Sequence, residues 1–440
     1  MEIKTSDFFV GMAKEDITPE LGCPLYGYPA SIIRNAEKIY DPLTVGVAAI
    51  KQNENSILLI SAELCALNES DSRKISEAIS NETGIDVKNI IISSIHTHSG
   101  PITRTSAGWG TSDSSYVFEH FLPKAVTASK NAISKMQPAV MGFGTAETLA
   151  GINRREIDEN GNVILGYNPD GPYDPTVTLI CFKALDGTNI GSIAHFAAHP
   201  TAAARNCSFT RDWPGVMVDR VAKMTEAPCI FFNGAEGDIA PKVASRDPYR
   251  GEHSIFEPGN MAGESAENAY QSIEKYEIPK VEIAYGNINL PFIDPPSFEA
   301  VKAEILEMEK EPDKIEGVRA SHYAQLMKIK AVYEAGDEFP KTLEIPQTII
   351  ALGELVIVPA PFEVFCKISL AIREGSPYKH TVLFGLSNGS RGYMPTEDQI
   401  PAGGYEVDSF RAVGITSLVN DTDKYFIKQN VDLIKKLYNK

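Results

Sequence analysis

Between Val45 and Pro101 the chain sets out a short succession of elements that few folds accommodate. Val45-Gly46-Val47-Ala48-Ala49-Ile50 and Ser56-Ile57-Leu58-Leu59-Ile60-Ser61 are apolar runs of strand length, separated only by the polar turn Gln52-Asn53-Glu54-Asn55. Asp71 to Thr83 reads as a helix, and Val87 to Ile95 as a third apolar, β-branched run. Strands that are apolar throughout need cover on both faces, so this order predicts neighbouring buried strands with a helix packed on them. The pattern continues downstream. Val177 to Phe182 and Gly191 to Phe196 predict a hairpin around Asp186-Gly187-Thr188-Asn189, and Cys229 to Asn233 predicts a strand that runs into the glycine-bearing turn Gly234 to Gly237. The class is α/β, with α+β mixing, and no GxGxxG, P-loop or internal repeat interrupts it.

The 440 residues can bury a large core, and 43% hydrophobic with 22% charged residues is ordinary for a globular protein. A formal charge of −17 disfavours nucleic-acid binding and adhesion to an anionic membrane, but says little about a small substrate. Met1 to Val10 lacks a basic leader with an apolar stretch, and no run is long and apolar enough to span a bilayer. The six cysteines are scattered, with no CxxC, and Cys65, Cys181, Cys229 and Cys366 sit in apolar contexts. A reducing compartment is therefore expected, and with it a cytoplasmic location. The expected partner is a small-molecule substrate, with no nucleic acid and no stable membrane association; a homodimer is compatible with this picture.

Phe298 to Tyr333, rich in Glu, Lys, Ala, Leu and Met, predicts one or two surface helices broken near Pro312 to Gly317. Its bland reading is a solvated helical excursion, at about 298–336. Thr348 to Leu352 and Leu355 to Val358 then predict a hairpin returning to the core. No Ser-, Pro- or Gly-rich linker divides the chain, so residues 1–440 are expected to form one compact unit.

The chemistry gathers at strand ends. Ile95-His96-Thr97-His98-Ser99-Gly100-Pro101 spends two of eight histidines at the end of an apolar run. At i and i+2 of an extended segment both imidazoles face one side, which suits a metal site or acid/base work. Three other features are placed to join them: His199 in Phe196-Ala197-Ala198-His199-Pro200, Glu363 after Pro361-Phe362, and the polar loop Ser387 to Tyr393 that leads to Tyr405-Glu406. Imidazoles, a carboxylate and a phenolate would give zinc a nitrogen and oxygen set with room for water. On spacing alone, a structural role for His199 or Glu363 stays open.

In order along the chain, these segments resemble the neutral/alkaline non-lysosomal ceramidase family. Val10 to Pro19 resembles its opening signature, and His96-Thr97-His98-Ser99-Gly100-Pro101 its central motif. Asn153-Arg154-Arg155, Asn168-Pro169, Phe196 to His199, Asn233 to Pro241, Glu363 and Tyr393 resemble further family segments. The resemblance implies a ceramidase-like catalytic domain of mixed sheets and flanking helices, acting as a zinc amidohydrolase. It carries the zinc ligands onto His96, His199, Glu363 and Tyr393, places His98 beside the metal, and sets Arg154 and Tyr405 near the scissile group. Zinc in such a site acts as a Lewis acid and brings the pKa of its water toward about 7. Tyr405 or His98 would donate to the oxyanion, and His98 would carry a proton to the leaving amine. Asp212 or Asp238 is expected to orient a ligand imidazole.

The chain departs from the family where Ala240 replaces a serine and where Phe362 replaces a glycine before Glu363, and no carboxy-terminal β-sandwich is expected. These departures favour a soluble N-acyl substrate over ceramide. The competing readings are another metallohydrolase, esterase or lactonase-like, and a non-catalytic binding protein that keeps the pocket, which Ala240 favours. A metallo-β-lactamase-like site would want an aspartate at the position of Gly100. Among the loop aromatics Tyr26, Tyr28, Trp109 and Trp213, Trp109 is the first choice for substrate contact. His195 is expected either to lie against Asp212 or simply to pack.

Overall fold

The predicted hairpins form, two of them within one large sheet and the third in a second sheet. In this computed structural model, which describes residues 6–244 and 250–440, Thr44–Gln52 pairs antiparallel with Asn55–Ala62, turning through Asn53 at φ 51°. Phe8–Asp16 flanks them on the other side, with Phe8 opposite Gln52. The sheet has eight strands, in the spatial order Cys229–Asn233, Asn189–Phe196, Thr176–Ala184, Gln137–Glu147, Phe8–Asp16, Thr44–Gln52, Asn55–Ala62 and Ile90–Ser94. Each edge strand joins its neighbour in parallel. The sheet curls until those two edges meet: Ser61 Oγ donates to Phe231 O at 2.5 Å, and Asn233 Nδ2 to Ile95 O at 3.0 Å. Gly46 permits the approach, since a Cβ there would lie 2.3 Å from Ile230 Cγ2. The chain segments that carry His96 and His199 are thereby brought side by side, although 103 positions separate the two residues in sequence.

A second sheet, of Val281–Pro291, Thr342–Leu352, Leu355–Pro359 and His380–Phe384, packs on the inner face of the first. Ile50, Leu59, Phe182 and Phe232 meet Ile350, Ile357 and Phe384 in this core. Full burial of side chains of this size is worth roughly 1.5–3 kcal/mol each. Helices Glu69–Thr83 and Leu122–Ser134 cover part of the first sheet's outer face, and Asp212–Thr225 and Phe256–Gln271 another part. Cys366–Gly375 and Thr422–Tyr438 cover the second sheet's far side. The layers therefore run helix, sheet, sheet, helix, which is the mixed α/β class expected. The loop after Phe384 stitches the sheets together at one end: Gly385 N donates to Asn233 O at 2.9 Å, Asn388 N to Ile92 O at 2.6 Å, and Ser387 and Ser93 share a hydroxyl bond of 2.6 Å. Just beside it the short strands Glu363–Val364 and Tyr393–Met394 pair in parallel, with Glu363 opposite Tyr393.

The excursion forms two helices, Phe298–Glu309 and Gly317–Ala335, broken at Pro312–Lys314. Ser297 caps the first by accepting from Ala300 N, and Gly336 ends the second at φ 72°. Val301, Ile305, Met308, Leu326 and Ile329 give this hairpin a small core of its own. The reading as a solvated excursion needs correction on one face. Ser321 Oγ donates to Ala107 O at 2.9 Å, and Gly317 sits so close to Gly108 that a Cβ on the latter would lie 2.4 Å from its carbonyl oxygen. Among the described residues, no helix is long and apolar enough to cross a membrane.

Candidate active site

The histidine pair is presented by strained backbone rather than by an extended strand. The strand stops at Ser94, and His96 takes φ 76°, a region costly for any residue with a Cβ. The i, i+2 argument for a shared face thus fails in detail, although the two rings do meet: their Nε2 atoms lie 3.2 Å apart. The turn is fastened from several sides. His96 N donates to Leu64 O at 2.9 Å, Thr97 Oγ1 to Thr210 O at 2.7 Å, and Arg34 Nη2 to His98 O at 2.9 Å.

His96, His199 and Glu363 converge in a buried triad whose donor atoms lie within 4.8 Å of one another. The imidazole tautomers follow from their outer partners. His96 Nδ1 lies 2.9 Å from Cys65 O, and His199 Nδ1 lies 2.7 Å from Glu236 O and 3.1 Å from Ile239 O. Each Nδ1–H therefore donates to a carbonyl, and each Nε2 lone pair is left facing inward. Glu363 Oε2 stands 3.4 Å from His96 Nε2 and 3.2 Å from His199 Nε2, and the Tyr393 hydroxyl is 3.4 Å from His199 Nε2. Donors on a tetrahedral ion with bonds near 2.0–2.1 Å stand about 3.3 Å apart, so this set fits a divalent metal of zinc's size. His98 is not in that triad; it falls with Cys65 and His96 in a second group. Burial first, then the neighbouring His96 and His199 rings, hold the His98 imidazole well below its usual range. Burial raises the Glu363 carboxyl, but His96 and His199 outweigh it and hold it well below the carboxylate range.

Arg154 and Tyr405 arrive at the same place. Arg154 Nη2 donates to the Tyr393 hydroxyl at 3.0 Å, and the Tyr405 ring lies 5.5 Å from that of Tyr393. Glu406 fixes this corner, accepting from Arg154 Nε at 2.8 Å and from Arg155 Nη1 at 2.6 Å. Asp238 does not orient an imidazole: it accepts from Asn153 Nδ2 at 3.0 Å and from Cys366 N at 2.7 Å, and its carbonyl receives Arg154 N. Asp212 likewise accepts from Ala202 N, Ala203 N and Trp213 N, clasping the turn after His199 from a distance. The backbone carbonyls do what the aspartates were expected to do. Phe362 turns away from the site into the second sheet's helical core, 6.1 Å from the Phe426 ring. His195 packs between the sheets, with Nε2 2.9 Å from Leu383 O rather than against Asp212.

A cavity of about 710 Å³ opens over His96, His98, Glu363 and Tyr393, walled by Trp109, Tyr405 and the helix that carries Ser321 and Lys328. Trp109 lies 5.9 Å from Tyr405, and Tyr26 also lines the cavity. Tyr28 braces His98 edge-on at 5.3 Å, whereas Trp213 is core, its Nε1 donating to His199 O at 3.0 Å. Sequence reasoning gave no role to Glu406, Arg34, Arg104 or Glu236. Glu236 is fully buried, neither carboxylate oxygen has a partner among the described residues, and burial pushes its carboxyl up to about 8. No spacing rule marks Glu406 or Arg104, because Arg154 and Ser390, to which they bind, lie hundreds of positions away in sequence.

Fold and cavity define a layered α/β protein with a buried cluster of imidazole, carboxylate and phenol at the meeting point of its two sheets. Its architecture is similar to the crystal structure of neutral ceramidase from Pseudomonas aeruginosa, with TM-score 0.75 and 17% identity over 99% of this chain and 75% of that one. It is similar as well to a ceramidase complexed with C2, with TM-score 0.74 and 17% identity over 99% and 76%. At that identity the likeness speaks for the fold. Residues 8–245 match the family model described as neutral/alkaline non-lysosomal ceramidase, N-terminal, and the chain belongs to that family. No curated protein matches the chain.

Proposed function

We propose that the protein is a zinc-dependent amidohydrolase that cleaves the N-acyl bond of a soluble substrate. Membership of a ceramidase family supports amide hydrolysis. The single observation that carries the metal reading is the buried triad, with both Nδ1 protons given to carbonyls and both Nε2 atoms turned toward Glu363. His96, His199, Glu363 and Tyr393 would hold the ion, which when bound supplies Lewis acidity toward an amide carbonyl and a more acidic water.

The chain's own groups account for the rest of the reaction. Arg154 holds the Tyr393 oxygen toward the cluster and is itself held by Glu406. Tyr405 offers a phenolic O–H to the carbonyl oxygen as negative charge gathers there. His98, whose Nδ1 has no partner among the described residues, starts neutral in this buried setting, so it would first take a proton from the attacking water and then pass it to the leaving nitrogen. Trp109 and Tyr26 narrow the cavity against bulk water. Six free thiols, four of them buried, fit a cytoplasmic setting.

Elemental analysis of untagged protein beside a His96→Ala/His199→Ala variant tests the reading. We expect about one zinc per chain in the wild type, loss of it in the variant, and turnover of N-acyl compounds by the wild type only. Wild type that takes up no metal when zinc is offered and the excess removed would sink the mechanism and favour a binding protein. Metal without turnover of any amide would point to an esterase or lactonase.

A further inference from the structure

The cavity carries a charge that its proposed chemistry does not use. Three cationic side chains line it outside the metal cluster: Arg104, Lys328 and Arg391. Arg391 is ion-paired with Glu69, and Glu363, the other lining carboxylate, is enclosed by imidazoles. Arg104 and Lys328 have no carboxylate partner among the described residues. Three buried arginines do, since Arg154 and Arg155 share Glu406 and Arg211 meets Asp219, whereas Arg34 spends its donors on the carbonyls of Tyr26, His98 and Asn206.

The hydrogen-bond partners of Arg104 are neutral, and Glu363 acts on it only through space. Its Nε donates to Ser390 O at 3.1 Å, and its guanidinium is hydrogen-bonded to the Tyr26 side chain. A guanidinium has five N–H donors in a planar fork that suits a carboxylate, so most of this one's capacity is left for a ligand. Lys328 is exposed and reaches the rim from the helical hairpin. A half-buried cation with no carboxylate in direct contact is partly desolvated, and a bound anion would offset that cost. This positive lining lies within a chain of net charge −17, so it is not a by-product of overall basicity.

We infer that the substrate carries a carboxylate, received by Arg104 with Lys328 at the entrance, while Trp109, Val413 and Ile415 line the apolar remainder of the cavity. This rests on the reading of the site as an N-acyl hydrolase. The carboxylate can sit on the amine part, as in an N-acyl amino acid, or on the acyl part, as in the half-amide of a dicarboxylic acid.

Two matched pairs distinguish these sources: N-decanoylglycine and its methyl ester, and N-hexylsuccinamic acid and its methyl ester. The kcat/KM ratio of acid to ester should exceed about tenfold in one pair, as expected for a charge-assisted contact. Arg104→Gln should bring that ratio close to one, Arg104→Lys should restore part of it, and Lys328→Glu should cut it by about threefold or more. Lys328 is exposed, so its variant tests the inference even if Arg104→Gln fails to fold. Fluorescence titration of chelator-treated protein with the same four compounds reads affinity without turnover and without a metal to attract the acid. Equal handling of acid and ester in both pairs, or ratios unmoved by the variants, overturns the inference and leaves the hydrolase reading intact. Arg104-dependent binding of an acid with no hydrolysis keeps the anion site and overturns the hydrolase reading.

Discussion

Glu406 holds two buried guanidinium groups at once, and only one of them reaches the reactive corner. Glu406→Gln leaves both arginines short of a counter-charge. Denaturation should show a loss of about 3–5 kcal/mol. Because Arg154 loses its hold on the Tyr393 hydroxyl, kcat should also fall, by about a hundredfold. A variant with wild-type kcat would separate Arg154 from the reaction. The imidazole and carboxylate donors of the cluster were legible in the sequence as candidates because few residues offer such atoms, and a histidine pair after an apolar run narrows the choice. Glu406 was not legible, since its partners lie some 250 positions away. Phe362 misled for the opposite reason: adjacency to Glu363 in sequence suggested a ring in the site, and side-chain alternation sends it to the other face.

At the scale of elements, the helical hairpin was readable in its bounds but not in its docking. Ser297, Pro312 and Gly336 mark its start, break and end by local rules. Its contact with the rim depends on Gly108, at φ 79°, lying against the Gly317 backbone, and no periodicity reports that. Gly108→Ala places a Cβ 2.4 Å from Gly317 O in a backbone conformation that disfavours it. Local strain of about 1–3 kcal/mol should shift the hairpin outward, raising KM severalfold without changing the uptake of offered zinc. An unchanged KM would mean that the hairpin does not shape the binding cavity. The strand hairpins were legible because apolar runs with short polar turns leave little freedom in register, as Gln52 opposite Asn55 illustrates.

At the scale of the whole molecule, a titratable group lies in the interface between the two sheets. His195 lies between them, its ring 5.8 Å from Phe384 and its Nε2 bonded to Leu383 O. Burial pushes it down to about 4. The unfolded chain, with an ordinary imidazole near 6.5, binds the proton more readily than the fold does. Stability contributed by this neutral ring is therefore present above pH 6.5 and lost as pH falls toward 4, by on the order of 3 kcal/mol in the limit. His195→Gln keeps a donor for Leu383 O and removes the titration. Urea melts between pH 7 and 4 should show a shallower loss in the variant. Parallel slopes would place the acid sensitivity elsewhere.

The site lies across a seam. His96 and His199 belong to the curled first sheet, whereas Glu363 and Tyr393 belong to the strand pair beside the second, and the 385–388 loop ties the layers together at that very point. The sheets therefore cannot swing apart like jaws to admit a substrate without dismantling the cluster that would act on it. Traffic must pass over the rim instead, where two glycines touch backbone to backbone. The doorway can thus be reshaped by changes in one hairpin while the interior stays as it is.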